Sequence, residues 1–493
     1  MKVLVANRGE IAVRILRACQ ELNFQSVAIY SESDQVALHV RYADEAVAIG
    51  PAKNYMNIAA ILSAARHTGA EAIHPGYGFL SENPAFAQAV EDAGLIFIGP
   101  RPQTIALTGD KLAARRAAAE AGLPVLPGSD DPLPRQLPVD LAAQVKYPVL
   151  IKATAGGGGR GIRLARSVDE LHEMIALARQ EALAAFGNDN VYLESLVQDA
   201  RHIEVQILGD GAGHILCLGE RECSIQRRRQ KLIEEAPASG LSEAQRTRLY
   251  DAAFQLAHAL NYRSLGTVEF LLDADQNFHF IEVNPRIQVE HPVTEMVTGM
   301  DLVKQQLQQA TGVSLHYAQE ALNLRGAAIE ARILAEDPEN DFLPSTGLIT
   351  HLQEPGGPGI RVDSALYLGM PVTAEYDSLL AKVIAWCETR PEAIRRMRRA
   401  LNEFTIAGVP TDLTFLKQVI ESPKFVAGEV TTTYLEQFTP EKQPDEPTLE
   451  RDAAVAAALY AHRLRHQPVE TRHSTVQSNP WRQTAWGEQM SST

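Results

Sequence analysis

The sequence predicts an α/β protein. Its first domain is a parallel sheet layered with helices, and its later domains are built largely from antiparallel strands. Three observations predict this. Residues 1–110 alternate short apolar runs with helically periodic stretches, the rhythm of βαβ units. Residues 266–272 and 278–281 are β-rich runs joined by Asp273-Ala274-Asp275-Gln276-Asn277, which reads as an antiparallel hairpin. Residues 327–387 are β-rich and broken by the turn cluster Pro355-Gly356-Gly357-Pro358-Gly359. A chain of 493 residues holds more than one domain. The divisions expected are 1–110, 111–325, 326–440, and a linker, helix and tail over 441–493.

In the first domain, residues 3–6 form a strand and residues 10–22 a helix with Ile11, Ile15, Leu16 and Cys19 at helical spacing. A strand over 26–30, a helix over 55–68, a strand over 72–74, a helix over 84–93 and a strand over 95–98 follow. Such sheets bind ligands at the carboxyl ends of their strands. Two loops sit there, Asn7-Arg8-Gly9-Glu10 and His74-Pro75-Gly76-Tyr77-Gly78-Phe79. His74 reads as a satisfied structural histidine, and Tyr77 and Glu82 as the better candidates for a site.

Gly109-Asp110-Lys111 opens an Ala-rich helix that runs to Ala121. A strand over 147–152 leads into Ala153-Thr154-Ala155-Gly156-Gly157-Gly158-Gly159-Arg160-Gly161. Gly156, Gly158 and Gly161 satisfy G-x-G-x-x-G, but the dinucleotide fingerprint needs a helix next, and residues 162–165 read as a strand. No Gly-Lys-Ser/Thr follows, so the Walker pattern is absent. A hairpin loop whose backbone N–H groups close over phosphates fits better, with Lys152 supplying a cation beside it. Four consecutive glycines carry a large entropic cost in a purely structural loop.

Strands follow at 191–194 and 201–208, the second with His202, Glu204 and Gln206 on one face. Residues 215–219 lead into the basic run Glu220-Arg221-Glu222-Cys223-Ser224-Ile225-Gln226-Arg227-Arg228-Arg229-Gln230-Lys231. By itself that run reads as a solvated surface; beside a phosphate loop it can help enclose an anion. Residues 327–334 form a strand carrying Glu330 and Arg332, and 391–404 a helix with apolar Ile394, Met397, Leu401 and Phe404. A Pro- and Glu-rich linker starts at residue 440, residues 449–466 read as a helix, and the rest reads as poorly ordered despite Trp481 and Trp486.

The densest chemistry lies in Glu282-Val283-Asn284-Pro285-Arg286-Ile287-Gln288-Val289-Glu290-His291. Alternate positions carry Glu, Asn, Arg, Gln and Glu, so an extended chain turns all of them to one side. Alternation alone also describes a half-buried strand with a solvated face. A symmetric hairpin loop centred on Ala274 and Asp275 pairs Glu269 with Phe280 and puts Glu282 diagonally across on the same face. Two carboxylates about 5 Å apart repel by roughly 3 kcal/mol at an effective dielectric near 20. A shared proton, a Lys or Arg, or a divalent cation offsets that. Hard oxygen donors suit Mg2+ or Mn2+, with positions left for phosphate oxygens.

Composition narrows the function classes. Hydrophobic content of 45% and charged content of 22% are those of a globular protein. A net charge of −15 argues against nucleic acid as a partner. Cys19, Cys217, Cys223 and Cys387 are scattered without a C-x-x-C pair, so zinc is not expected. They read as buried thiols of a reducing cytoplasm. No apolar run reaches the length of a membrane span, and the run over 3–6 is cut by Asn7 and Arg8, so it is no secretory signal.

Several of these stretches together resemble the biotin carboxylases, a family of ATP-grasp enzymes. They are Ala6-Asn7-Arg8-Gly9-Glu10-Ile11-Ala12, His74-Pro75-Gly76-Tyr77-Gly78-Phe79-Leu80-Ser81-Glu82-Asn83, the Gly-rich loop, Arg201-His202-Ile203-Glu204-Val205-Gln206 and residues 282–294. The resemblance spans residues 1–435. It implies an N-terminal α/β domain, an ATP-grasp domain with a mobile lid over 125–198, and a C-terminal β-rich domain. It also implies that ATP and bicarbonate give carboxyphosphate, whose CO2 is captured by N1′ of biotin. Lys111, Lys152 and His202 resemble nucleotide and phosphate contacts, joined by Gly157, Gly158 and Gln226, with Glu194 near the adenine. Glu269, Glu282 and Asn284 match a site for Mg2+ or Mn2+. Arg286, Gln288 and Val289 match the bicarbonate pocket, and Glu290 the base that deprotonates bicarbonate. Arg332 matches the group that stabilises the biotin enolate, and Lys231 lies close to bicarbonate and phosphate.

Three positions depart from the family pattern: Ala155 replaces a first glycine of the loop, Ser195 a lysine, and Arg229 a histidine. All lie on the nucleotide side, so altered nucleotide affinity is expected with the metal and bicarbonate groups intact. The only Met-Lys pair is Met1-Lys2, so the biotin is expected on a separate biotin carboxyl carrier protein, with a carboxyltransferase subunit as second partner. Acetyl-CoA or propionyl-CoA carboxylation is the first expectation, and pyruvate or urea carboxylase systems the alternative. Arg17, Glu21 and Arg361 match positions used in family dimers, so a homodimer is expected, although Pro358 replaces an aromatic found in some members. Two other classes stand beside this one. An ATP-grasp ligase with a non-biotin acceptor would turn over without biotin. A non-catalytic nucleotide-binding regulator would bind ATP without hydrolysing it.

Overall fold

A computed structural model describes residues 1–135, 145–156, 161–440 and 446–466. Gly157, Gly158, the linker at 441–445, Trp481 and Trp486 lie outside the described residues.

The alternating segment folds into a parallel sheet of β1 (Lys2–Val5), β2 (Gln25–Ser31), β3 (Glu45–Gly50), β4 (Ala72–His74) and β5 (Ile96–Phe97) in the order β3-β2-β1-β4-β5. Helices α1 (Gly9–Glu21), α2 (Ile58–Thr68) and α3 (Pro84–Asp92) connect its strands. The edge strand β3, half exposed, gave too weak a pattern to be expected from sequence. Strand order reverses between β1 and β4, and the two loops singled out above meet there. Asn7 Nδ2 donates to the carbonyls of Pro75 and Tyr77, both at 2.7 Å. A Cβ on Gly76, whose φ is +63°, would lie 2.8 Å from Asn7 Nδ2, so the turn needs glycine.

The main sheet has eight antiparallel strands: β9 (Arg201–Asp210), β10 (Ile215–Arg227), β11 (Gln230–Ala236), β12 (Arg263–Leu272), β13 (Phe278–Asn284), β14 (Ala327–Leu334), β15 (Ile360–Ser364) and β16 (Leu379–Cys387). Their order is β13-β12-β9-β10-β11-β14-β16-β15. One sheet therefore runs from the central segment into the C-terminal one, joined where Ile233 pairs with Ala331. Its apolar face packs against α4 (Lys111–Glu120) and α6 (Glu243–Ala259) at one end, and against α9 (Arg390–Glu403) and α10 (Leu413–Glu421) at the other. A separate small sheet, β7-β6-β8, consists of β6 (Val149–Ala153), β7 (Ile162–Ala165) and β8 (Val191–Ser195). It packs with α5 (Val168–Phe186) around Ile151, Leu171, Ile175 and Leu193. Sequence reading passed over α5, although Ser167 caps its first turn and Gly187 ends it at φ 68°.

Three expectations need correction. The extended stretch over 282–291 stops at Asn284, because Pro285 has no N–H to continue the ladder; residues 285–290 turn instead. Glu269 pairs directly with Glu282 rather than with Phe280, because the ladder is irregular between Glu269 and Phe270. The basic run is no solvated surface as far as Gln226: β10 extends through it, buried nearly throughout, and Arg221 is 0% exposed. Only the hairpin tip, Arg228, Arg229 and Gln230, is exposed, the two arginines at positive φ.

The second unit of the chain contains α11 (Glu446–His466), with Val455, Leu459 and Tyr460 exposed. Among the described residues, no helix is long and apolar enough to cross a membrane.

Candidate active site

The inward polar face of the main sheet places a lysine among three carboxylates. Lys231 Nζ donates to Glu204 at 2.6 Å, Glu290 at 2.7 Å and Glu269 at 3.0 Å. The hairpin turn between β10 and β11 and the β9–β12 pairing bring these groups together, since Glu204 is the cross-strand partner of Glu269. Arg221 supports them from below: it reaches Glu204 at 2.5 Å, Gln206 at 2.7 Å, Thr294 at 2.9 Å and Thr267 at 3.2 Å. Burial opposes the charged form of Lys231, but Cys223 and the three carboxylates hold its pKa well above the usual value.

Glu290 is the N-cap residue of α7 (His291–Thr298) and is 1% exposed. A helix N-terminus favours a carboxylate. Its second oxygen receives Arg332 at 2.8 Å, and Arg332 also pairs with Glu234. Burial would raise its pKa, but Lys231, Arg332 and Arg221 outweigh it and hold Glu290 well below the carboxylate range. It is an ionised carboxylate almost shielded from solvent.

Next to it, Arg286 donates to Glu82 and to Gln288, both at 2.6 Å, and to Asn284 at 3.2 Å. Asn284 and Gln288 each donate to Glu269, at 2.8 and 3.2 Å. The alternate residues read from sequence thus do converge, on a turn rather than a strand. Lys382, 0% exposed on β16, donates to the Val289 carbonyl at 2.7 Å and pairs with Glu10 of α1 at 3.1 Å. The turn is therefore pinned from both ends of the chain.

A second group faces the small sheet. Lys152 pairs with Glu194, which also receives Tyr192 at 3.2 Å and Arg115 at 3.4 Å. Lys111 pairs with Glu282. Its N–H donates to the Thr154 carbonyl at 2.8 Å, tying the start of α4 to the end of β6. His202 Nε2 lies 2.9 Å from Glu269, and Gln226 Nε2 lies 3.4 Å from His202 Nδ1. His202, Glu204 and Glu269 offer ligand atoms within 4.8 Å of one another. Glu282 is the cross-strand partner of Glu269 and pairs with Lys111, and the carboxylate-rich set around Glu269 fits a hard divalent cation.

Three family models align end to end along the chain: "Biotin carboxylase, N-terminal domain" over 1–105, "Carbamoyl-phosphate synthase L chain, ATP binding domain" over 110–318 and "Biotin carboxylase C-terminal domain" over 330–437. The chain belongs to the biotin carboxylase family. Its activity is accordingly that of an ATP-grasp ligase, the ATP-dependent carboxylation of biotin. A biotin carboxylase of Nostoc sp. is 51% identical over 441 residues, which cover 89% of this chain and 99% of that one. Biotin carboxylase 1 of Bacillus subtilis is 50% identical, covering 89% and 98%. A solved biotin carboxylase domain dimer of Hydrogenobacter thermophilus 2-oxoglutarate carboxylase, in complex with MgADP, ADP and bicarbonate, has a TM-score of 0.86 at 47% identity, covering 89% and 99%. A Campylobacter jejuni biotin carboxylase–β,γ-ATP complex also has a TM-score of 0.86, at 44% identity, covering 89% and 98%.

For this biotin carboxylase, sequence reasoning missed Arg221 and did not assign Glu204 a role. The signal for Glu204 was present, since His202, Glu204 and Gln206 alternate on β9. Arg221 was hidden by its basic neighbours. Tyr77, singled out in the loop after β4, donates to Glu10, and Glu82 pairs with Arg286, which brings the N-terminal domain to the edge of the site. His74 is only half satisfied: its Nδ1 accepts the Gly76 N–H at 3.0 Å, its buried Nε2 has no hydrogen-bond partner among the described residues, and burial pushes its pKa down to about 3.

Proposed function

We propose that this chain carries out the first half-reaction of an acyl-CoA carboxylase, with acetyl-CoA as the first candidate acceptor. Biotin arrives on a separate carrier protein, and a carboxyltransferase subunit uses the product. The observation that carries the site assignment is the buried, ionised Glu290 held by Lys231 and Arg332 beside Arg286 and Gln288.

Lys111 and Lys152 bind the nucleotide phosphates, aided by His202, Gln226 and the loop glycines Gly157 and Gly158, with Glu194 on the adenine side. Glu269, Glu282 and Asn284 would hold Mg2+ or Mn2+, which would neutralise phosphate charge when bound. Arg286, Gln288 and the Val289 backbone orient bicarbonate, a planar anion suited to a guanidinium. Glu290 takes the bicarbonate proton, and the freed oxygen attacks the γ-phosphorus to give carboxyphosphate and ADP. Carboxyphosphate releases CO2 and phosphate. That phosphate takes the N1′ proton of biotin, Arg332 stabilises the resulting enolate, which attacks CO2 through N1′, and Lys231 balances charge near bicarbonate and phosphate. The small sheet and α5, within a lid over 125–198, close over the nucleotide and exclude water.

The protein works as a homodimer in the cytoplasm. Four free, buried cysteines support the reducing compartment. The dimeric Hydrogenobacter domain supports the assembly, although within the chain Glu21 pairs with Lys304, and Arg361 with Glu295 and Asp363. The deciding experiment is phosphate release from Mg-ATP with and without bicarbonate and with and without free biotin. Release that needs bicarbonate and is accelerated by biotin is the expected result. Release indifferent to both overturns the reading.

A further inference from the structure

Two buried carboxyls next to this site have no role in the scheme above, on which the following rests. Glu234 on β11 and Glu330 on β14 are direct cross-strand partners, and both are 0% exposed. Like charges placed directly opposite are destabilising, and an uncompensated buried carboxylate is strongly disfavoured. Glu234 has a cation, Arg332. Among the described residues, the oxygens of both carboxyls lack a well-formed hydrogen bond, and only Glu234 has an ion-pair partner. The nearest cation from β16, Lys382, is turned to the Val289 carbonyl and Glu10. Two facing carboxyls in such a place hold one proton between them.

The surroundings say which carboxyl holds it. Glu234 is faced by Lys231 on its own strand, by Arg332 and Glu330 from β14, and by Glu290 at the N-cap of α7. Glu330 is faced by Lys382, Glu234, Arg332 and Glu290. Burial pushes Glu330 well above the carboxylate range against the pull of Lys382, and pushes Glu234 to about 7 against the pull of Arg332. Glu330 therefore holds a proton more tightly than Glu234, whose pairing with Arg332 favours its charged form. One nitrogen of Arg332 lies against both Glu234 and Glu290, while its Nε is buried without a partner among the described residues. The guanidinium is fixed on one side, and its other terminal nitrogen, not the buried Nε, is the donor left for a ligand.

We infer that Glu234, backed by Glu330, is a positioning residue for biotin carboxylation. It fixes Arg332 so that the other terminal nitrogen of the guanidinium can meet the ureido oxygen of biotin. Without it, Arg332 is held by Glu290 alone.

The test measures bicarbonate-dependent phosphate release with and without free biotin, over a range of pH, for wild type, Glu234→Gln, Glu234→Asp and Glu330→Gln. In Glu234→Gln, the ratio of biotin-stimulated to biotin-free rate falls about tenfold or more, chiefly through kcat/KM for biotin. Glu330→Gln, an isostere of the protonated acid, keeps that ratio within about threefold of wild type. Glu234→Asp, which retains the charge, restores part of the loss; if Glu234→Gln does not fold, Glu234→Asp must show an intermediate fall in the ratio. Parallel loss of both rates in Glu234→Gln, no loss, or an equal loss in Glu330→Gln overturns the inference. Absence of biotin stimulation in the wild type would instead overturn the proposed function.

Discussion

Replacing Glu290 by Gln tests the site most directly, because the structure separates its effect on chemistry from its effect on folding. The amide keeps the side-chain shape but cannot take a proton from bicarbonate. General-base catalysis contributes about 10²- to 10⁴-fold, so the barrier rises by about 3 to 5 kcal/mol. The folding cost is smaller. Lys231 keeps Glu204 at 2.6 Å and Glu269 at 3.0 Å, and Arg332 keeps Glu234. No buried cation is orphaned, so stability falls by about 1–3 kcal/mol, as for a lost charged hydrogen bond, and not by the 3–5 kcal/mol of a broken buried pair. Nucleotide affinity should hold, because Lys111, Lys152 and Glu194 lie on α4, β6 and β8. The assays are bicarbonate-dependent phosphate release, ATP binding by calorimetry and urea unfolding, all at one pH. A residual rate above about a tenth of wild type would refute the base assignment. Parallel loss of ATP binding would show that the effect is structural.

Arg221→Met should lower unfolding stability by about 3–5 kcal/mol, because four groups on β9, β12 and α7 lose their shared partner; an unchanged urea midpoint would contradict this. Chelation of divalent cations should abolish phosphate release while leaving the far-ultraviolet circular dichroism unchanged, and added Mg2+ should restore it; full activity in chelator would remove the metal assignment. Below about pH 6.5 three buried histidines should remove stability, while Glu234, raised to about 7, and Glu330 and Asp412, raised well above the carboxylate range, oppose them. His74 and His291 are held to about 3 and His39 to about 4 by burial, so the unfolded chain takes up protons that the folded chain does not. Each contributes about 1.4 kcal/mol per pH unit between its two pKa values. His39→Gln should make the thermal midpoint less sensitive to acid between pH 6.5 and pH 4.5 than in the wild type; an unchanged pH dependence would count against that reading.

The parallel domain was legible because helical and strand periodicities differ so sharply over residues 1–110. The site was legible as a set of residue types: Asn284, Arg286, Gln288 and Glu290 do gather where alternation put them. Its geometry was not. The direct Glu269–Glu282 pairing depends on one irregular step of the ladder, and nothing in the local residues announces that step. Pro285 did announce the end of β13 and was outweighed by the polar alternation around it. Arg221 and Glu234 could not be singled out, because both lie in runs of charge whose burial comes from strands far away in sequence. Glu234 is buried only once β14 lies beside it.

That last pairing bears on how the enzyme comes into being. A chain that has emerged from the ribosome only as far as residue 325 already contains Lys111, Lys152, Glu269, Glu282, Arg286 and Glu290. It lacks Arg332, which holds Glu290, and Lys382, which holds Val289. In the half-made protein Glu290 keeps Lys231 but has lost the second cation that fixes its other oxygen. Until β14 arrives, the edge of β11 is open to pairing with another nascent chain. The final third of the polypeptide thus supplies both the closing strand and the second cation on Glu290.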